Sequence, residues 1–340
     1  AFFAEREANK VPGVTKDVKP RPVNRIAVLG AGTMGGGITM SFASAGIPVT
    51  IIDLNPEALE RGMGIIEKNY RNTQRRGGLT EAQVDAALAN ITPSSDFDSV
   101  AEADMVIEAV FENMDLKKKI FKDLDAKCKP GCVLASNTST LDVDEIAAVT
   151  SRPEDVVGMH FFSPANVMRL LEIVRGEKTA PDVLKTAMDV GKKGGKIPVV
   201  VGVCYGFVGN RMLHARGAQI EPMLLEGASP SEIDGALTKF GMAMGPLAMS
   251  DMAGLDVGYR IRQESGRKAP VNDAICEMGR FGQKTGKGWY LYEEGSRRPI
   301  PDPEIDALIA RVAKELCQGT VVVSGGPNIR HTDLGYRNFL

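Results

Sequence analysis

Apolar positions change their rhythm once along this chain. Up to residue 202 they come as short solid runs, at residues 26–29, 49–52, 103–110, 132–140, 155–164, 168–176 and 197–202. Runs of this length without a polar alternation predict strands buried on both faces of a sheet. Between them lie segments with helical spacing: 33–45, 56–77, 80–90, 111–128, 143–150 and 182–194. Strand and helix in alternation predict an α/β fold, a Rossmann-type doubly wound sheet. The two neighbouring runs at 155–164 and 168–176 resemble a hairpin, so the sheet is expected to turn mixed at one edge.

From Gly206 onward the pattern is helical, with few strand signals, and it predicts an all-α C-terminal domain. The expected organisation is a proline-rich leader at 1–23, a Rossmann domain at 24–202, a helical domain at 203–296 and an unassigned segment at 297–340. The segment 248–266 reads as one helical stretch. Met242, Met244 and Met249 read first as core filler and second as an adaptable contact for an acyl chain. The leader reads as a short helix followed by a linker or a disordered tail, and the chain opens on Ala1 as a fragment would. A proline-rich opening leads into a helix at 302–317, and no firm pattern follows it.

The first strand ends in Gly30, Gly32 and Gly35, spaced G-x-G-x-x-G, and a helix opens there. Glycine at these positions permits a tight turn, close approach of backbone to a pyrophosphate, and close packing of helix on strand. The helix N-terminus offers free N–H groups to the phosphates. The second strand ends at Asp53, 18 positions after Gly35. A carboxylate there suits a ribose diol, and no Arg or Lys stands beside it for a 2′-phosphate, so the cofactor expected is NAD.

Bulk numbers narrow the partners. With 41 Lys and Arg against 43 Asp and Glu, there is no electrostatic case for nucleic acid or an anionic membrane. No apolar run is long enough to span a bilayer, and no signal-peptide pattern opens the chain. Five scattered cysteines argue for a reducing compartment. Cys128 and Cys132 have no second Cys or His pair to complete a zinc site, so they read as part of a turn and no metal is expected.

There are three histidines, His160, His214 and His331. His160 lies near the C-terminal end of a predicted strand, the edge at which ligands bind in doubly wound sheets, and imidazole is suited to proton transfer near neutral pH. Glu172 lies in the neighbouring apolar run, where a lone carboxylate would be costly and an imidazole would satisfy it. Two readings stand level here, a catalytic pair and a structural core pair. Ser139 and Asn210 are further polar candidates, with helix capping and a hinge hydrogen bond as their ordinary roles. The cations Lys68, Arg71, Arg75 and Arg76 crowd one helix end, as a solvated face or as a phosphate contact.

Six segments in order, GAGTMGGGI, VFENMDLKKKIF, SNTSTL, GMHFFSPANVMRLLEIV, GFVGNRML and FGQKTGKGWYLY, closely resemble the L-3-hydroxyacyl-CoA dehydrogenase family over residues 24–293. The leader AFFAEREANKVPGV resembles the join between hydratase and dehydrogenase parts in multifunctional fatty acid β-oxidation enzymes. The resemblance implies NAD-dependent oxidation of L-3-hydroxyacyl-CoA to 3-ketoacyl-CoA. His160 would be the general base and Glu172 its orienting partner, with Ser139 and Asn210 on the substrate. Gly30, Gly32, Met34, Gly35, Asp53, Val110, Glu112, Lys117, Ser139, Ser163 and Lys284 would line the NAD site, and Arg76 would approach the coenzyme A. The implied partners are an acyl-CoA substrate and either a thiolase subunit or a second copy. The implied location is a bacterial-type cytoplasmic complex, with mitochondrion and peroxisome as alternatives. The rival readings are a β-hydroxyacid dehydrogenase acting on a small free acid and a non-enzymatic NAD-binding structural protein. The tail stops too soon to form the second helical module that multifunctional members carry.

Overall fold

The computed structural model describes residues 2–318 except Asn9 and Lys16, so the unassigned tail from 319 onward, with His331, lies outside the described residues. The chain divides into two compact units at Arg211/Met212. In the first unit, helix α1 (Phe2–Glu7) precedes strand β1 (Ile26–Leu29), α2 (Thr33–Ser44) and β2 (Val49–Ile52). Then follow α3 (Pro56–Arg75), α4 (Glu81–Ala89), β3 (Ile91–Ser94), β4 (Met105–Glu108), α5 (Met114–Lys127) and β5 (Val133–Ser136). The unit closes with α6 (Val143–Ala147), β6 (Val156–Phe161), β7 (Leu170–Arg175), α7 (Pro181–Lys193) and β8 (Ile197–Gly202).

The strands form one eight-stranded sheet in the order β3-β2-β1-β4-β5-β6-β7-β8. The expected doubly wound sheet is present. Strands β1 to β6 are parallel, β7 runs antiparallel to β6, and β8 runs parallel to β7. Why the strands read as solid apolar runs is visible in the two cores. Ile26 and Val28 enter one, and Ala27 and Leu29 the other. With both faces covered, the side chains of a central strand are nearly all apolar. The 155–164 and 168–176 runs are trimmed to β6 and β7, and the residues between them form the loop 162–169.

The leader is docked on this unit from Val11 onward rather than hanging as a tail. Arg21 pairs with Asp155 at 2.7 Å and Asp182 at 2.8 Å, and its backbone N–H donates to Thr186 Oγ1. The Arg175 guanidinium donates to the Pro12 carbonyl at 2.8 Å. Cys128 and Cys132 are buried free thiols flanking the α5–β5 turn. Among the described residues no cluster of His, Cys, Asp or Glu could hold a metal.

Helix α8 (Gly209–Leu225) leads into α9 (Pro230–Phe240), α10 (Pro246–Ala253), α11 (Leu255–Ser265), α12 (Pro270–Glu277) and α13 (Pro303–Gln318). The stretch expected as one helix over 248–266 is two, because Gly254 adopts φ +96° between them. The methionine reading is corrected at Met244, which is 38 % exposed, while Met242 and Met249 are half-buried and Leu247 and Ala248 fill the core beside them. Asp234 and Asp251 hold this unit from inside. Asp234 accepts from Leu247 N, Ala248 N and the Tyr290 hydroxyl. Asp251 accepts from Trp289 N, Tyr290 N and the Tyr292 hydroxyl. Among the described residues no helix is long and apolar enough to cross a membrane.

Candidate active site

The glycine loop joins β1 to α2 at the C-terminal edge of the parallel strands. Gly30 sits at φ +98° with Ala109 O so near that a Cβ would come within 2.7 Å of it. A side chain on Gly35 would overlap the Gly30 carbonyl, so this glycine lets helix and loop close on each other. Gly32, the N-cap of α2, has no capping side chain, the first turn has no acidic residue, and a Cβ on Gly32 would meet only open space. The first-turn N–H groups are thus left for an external anion. Asp53 Oδ2 accepts from Ala31 N at 3.0 Å and Oδ1 from Asn55 N at 3.1 Å, which leaves lone pairs on both oxygens. These residues fit a dinucleotide with an unsubstituted ribose diol. Met34 is half-buried against the core of the same unit, and Val110 packs on the other core.

Strand β4 ends in a buried ionic relay. Glu108 Oε1 accepts from Lys117 Nζ at 2.6 Å and Val110 N at 2.8 Å, and Oε2 accepts from the Ser136 hydroxyl at 2.7 Å. The Lys117 side chain is 1 % exposed and reaches Glu112 Oε2 at 3.5 Å. Glu112 Oε1 accepts from the Thr138 hydroxyl at 2.7 Å, Ser139 N at 2.8 Å and Thr140 N at 3.1 Å. Burial pushes the Glu112 carboxyl up, but the Thr138 hydrogen bond, the Lys117 charge and the backbone donors outweigh it and hold it below the usual carboxylate range. The relay fixes the backbone at Ser139.

His160 and Glu172 are direct cross-strand partners on β6 and β7. The imidazole Nδ1 meets Glu172 Oε2 at 2.7 Å, and His160 is only 3 % exposed. Glu172 Oε1 accepts from Val208 N at 3.0 Å and Gly209 N at 2.8 Å, at the start of α8. Burial raises the Glu172 carboxyl, and hydrogen bonds from His160, Gly209 and Val208 more than reverse this, so its pKa is lowered. Asn210 is the next residue, and the carboxylate therefore ties the His160 strand to the backbone that carries Asn210. Phe162 and Phe207 flank the imidazole at ring-centre distances of 4.5 and 5.6 Å. Asn137 Oδ1 accepts from Phe161 N at 2.9 Å, which joins the Ser139 loop to β6.

A family model described as the NAD binding domain of 3-hydroxyacyl-CoA dehydrogenase matches residues 25–204, and one for the C-terminal domain of that enzyme matches 206–292. The chain belongs to the 3-hydroxyacyl-CoA dehydrogenase family. Within that family it is 44 % identical to the peroxisomal bifunctional enzyme of Cavia porcellus over 337 residues, which cover 91 % of this chain and 46 % of the relative. Against the peroxisomal bifunctional enzyme of Danio rerio it is 46 % identical over 336 residues, with the same two shares, 91 % and 46 %. The chain thus spans about half the length of the curated relatives it matches. Among structures, the dehydrogenase part of multifunctional enzyme 1 from C. elegans matches with TM-score 0.74 and 34 % identity, over 92 % of this chain and 74 % of that one. The 3-hydroxybutyryl-CoA dehydrogenase of Escherichia coli matches with TM-score 0.73 and 34 % identity, over 82 % and 61 %.

In this dehydrogenase-family chain the other predicted positions are placed as follows. Ser163 is exposed on the loop after β6. Arg76 is exposed at the C-cap of α3 and has no ion-pair partner among the described residues, whereas Arg71 pairs with Asp85 at 3.1 Å. Lys284 belongs to the helical unit, where it is paired with Asp256 and lies 5.9 Å from the Phe281 ring centre. Glu108, Ser136 and Asn137 support the site and escape a reading by sequence. Glu108 closes a strand whose apolar run signals only burial, and its partners come from α5 and β5.

Proposed function

We propose that this chain oxidises L-3-hydroxyacyl-CoA to 3-ketoacyl-CoA with NAD+. The observation that carries the reading is the buried His160–Glu172 pair at 2.7 Å, one strand away from the loop of Ser139. Gly30, Gly32, Gly35 and Asp53 would hold the dinucleotide, with Met34, Val110, Glu112, Lys117 and Ser163 as further cofactor-site residues. Bound NAD+ supplies a hydride acceptor. The chain's own task is the proton. With Nδ1 committed to Glu172, the imidazole presents Nε2 as the base that takes the 3-hydroxyl proton. The positive charge that then appears on the ring is met by the Glu172 carboxylate, which Val208 and Gly209 keep ionised and aimed. Ser139 and Asn210 would orient the substrate's hydroxyl and thioester region, and Arg76 would meet the coenzyme A phosphates.

The names of the relatives favour a peroxisomal setting over a cytoplasmic complex, and the half-length match fits one part of a protein with two activities. His160→Gln tests the assignment. Reduction of acetoacetyl-CoA by NADH should fall by about 10²- to 10⁴-fold while NADH still binds. Turnover at the wild-type level would remove His160 from the role of base.

A further inference from the structure

We infer that Lys196 is a positioning residue for this site, and that its buried ammonium holds the loop 162–169, which carries Ser163, in place beside the His160 strand. The inference rests on the dehydrogenase reading for its effect on turnover, but its geometry stands alone. Lys196 immediately precedes β8. Because β8 is parallel to β7 and β7 antiparallel to β6, the start of β8 lies at the end of the sheet where β6 finishes. That end is also where β1 enters the glycine loop.

Lys196 is 8 % exposed, and among the described residues no carboxylate lies within 4.0 Å of its ammonium. A buried cation without an anion is costly, and its donors must be used. They are spent on two backbone carbonyls of the loop, Ala165 O and, at 3.0 Å, Met168 O. Burial alone lowers the pKa of this lysine, as expected of a cation with only carbonyls for company. The buried Ser41 hydroxyl of α2 is shared between Gly37 O of its own helix at 3.0 Å and Ala165 O at 3.2 Å. One turn earlier on the same helix face, Gly37 leaves the room the loop occupies: a Cβ there would lie 3.0 Å from Ala165 Cβ and 3.1 Å from Ala165 N.

One carbonyl therefore fastens the loop both to the cofactor helix and to the start of β8. Among the described residues the loop's backbone ties are the N–H groups of Val167 and Met168, each donating to Pro164 O at 3.0 Å, and, at its far end, Arg169 O, which accepts from Ile197 N at 2.7 Å. A turn this lightly tied keeps its shape through the side chains that grip it. Ser163 lies three residues beyond His160, so a slack loop displaces a cofactor contact and the end of the base's own strand. A misplacement of about 1 Å can cost about 10²-fold in rate.

The test uses the chain as it stands, with Lys196→Met to keep the alkyl length without the charge and Lys196→Arg to keep the cation. In the Met variant, hydrogen exchange at Val167 and Met168 should quicken about tenfold while β4 and β5 keep wild-type protection. Its kcat for acetoacetyl-CoA reduction should fall about tenfold or more, and Lys196→Arg should recover part of both. Unchanged loop exchange and unchanged kcat overturn the inference, as does exchange that rises equally in loop, β4 and β5. Should Lys196→Met not fold, Ser41→Ala reads the same fastening, and wild-type exchange at Val167 and Met168 in that variant also overturns it. A wild type unable to turn over acetoacetyl-CoA refutes the dehydrogenase reading, and loop exchange still decides the role of Lys196.

Discussion

Replacing Glu172 by Gln changes one oxygen into an amide and asks what the carboxylate does for His160. Oε1 is taken by Val208 N at 3.0 Å and Gly209 N at 2.8 Å, and Oε2 by His160 Nδ1 at 2.7 Å. A Gln side chain satisfies both backbone donors with its carbonyl, so its amide group must point at Nδ1. Nδ1 then accepts, the ring proton moves to Nε2, and the nitrogen facing the substrate loses its lone pair. Oxidation of L-3-hydroxybutyryl-CoA by NAD+ should fall by about 10²- to 10⁴-fold, or about 3–5 kcal/mol of barrier. Stability should change little by comparison, because a charge-assisted bond is exchanged for a neutral one at a cost of about 1 kcal/mol. Glu172→Ala differs: it strands Nδ1 and two backbone N–H groups, and should cost about 2–5 kcal/mol in a urea melt. The wild-type carboxyl has a lowered pKa, so its stabilising effect is complete above the unfolded value near about 4.3 and fades as pH falls through the depressed folded one. Glu172→Gln removes that acid-side slope. Turnover within about threefold of wild type in a folded Glu172→Gln protein would refute the tautomer argument and the proton role with it.

Two further predictions concern the two units separately. Gly35→Ala forces a methyl onto the Gly30 carbonyl, so α2 must shift off the loop. A loss of about 3 kcal/mol and weaker NADH binding by fluorescence titration are expected, and an unchanged urea midpoint with unchanged affinity would contradict this. In the helical unit, burial pushes the Asp251 carboxyl up to about 6 against hydrogen bonds from Trp289 and Tyr290. The fold therefore favours the protonated form, and this group's contribution grows as pH falls from about 6 to about 4, by up to about 3 kcal/mol. Urea melts across that window should show the slope in wild type and lose it in Asp251→Asn, and identical slopes would remove the assignment.

Some features of the site are written in local pattern. The glycine loop needs small residues at three positions within one turn, and Asp53 ends the next strand, so neighbours in sequence are neighbours in space. The apolar runs that predict buried strands succeed because both faces of the sheet are covered. Strand β3 escapes that reading because Thr92, Pro93 and Ser94 sit at the sheet edge, where polar residues and proline are tolerated. The break between α10 and α11 escapes it as well, since a helical hydrophobic period runs straight across Gly254. Met242 and Met244 look like core by composition, but the neighbouring Leu247 and Ala248 take the core positions.

By itself the sequence determines the kind of cofactor site, the doubly wound architecture and the candidate base, because these depend on short-range spacing and on residue chemistry. Tertiary structure decides which groups the base and the loops lean on. The cross-strand register sets Glu172 opposite His160, and the start of α8 completes the carboxylate's bonds. Packing of α5 on β4 buries Lys117 between Glu108 and Glu112. The parallel pairing of β7 with β8 brings Lys196 to a loop that lies about thirty residues earlier in the chain. Partners so far apart leave no periodic trace in the sequence. Each is required only because burying a charge or an N–H group demands a mate, and the fold alone determines which one is within reach.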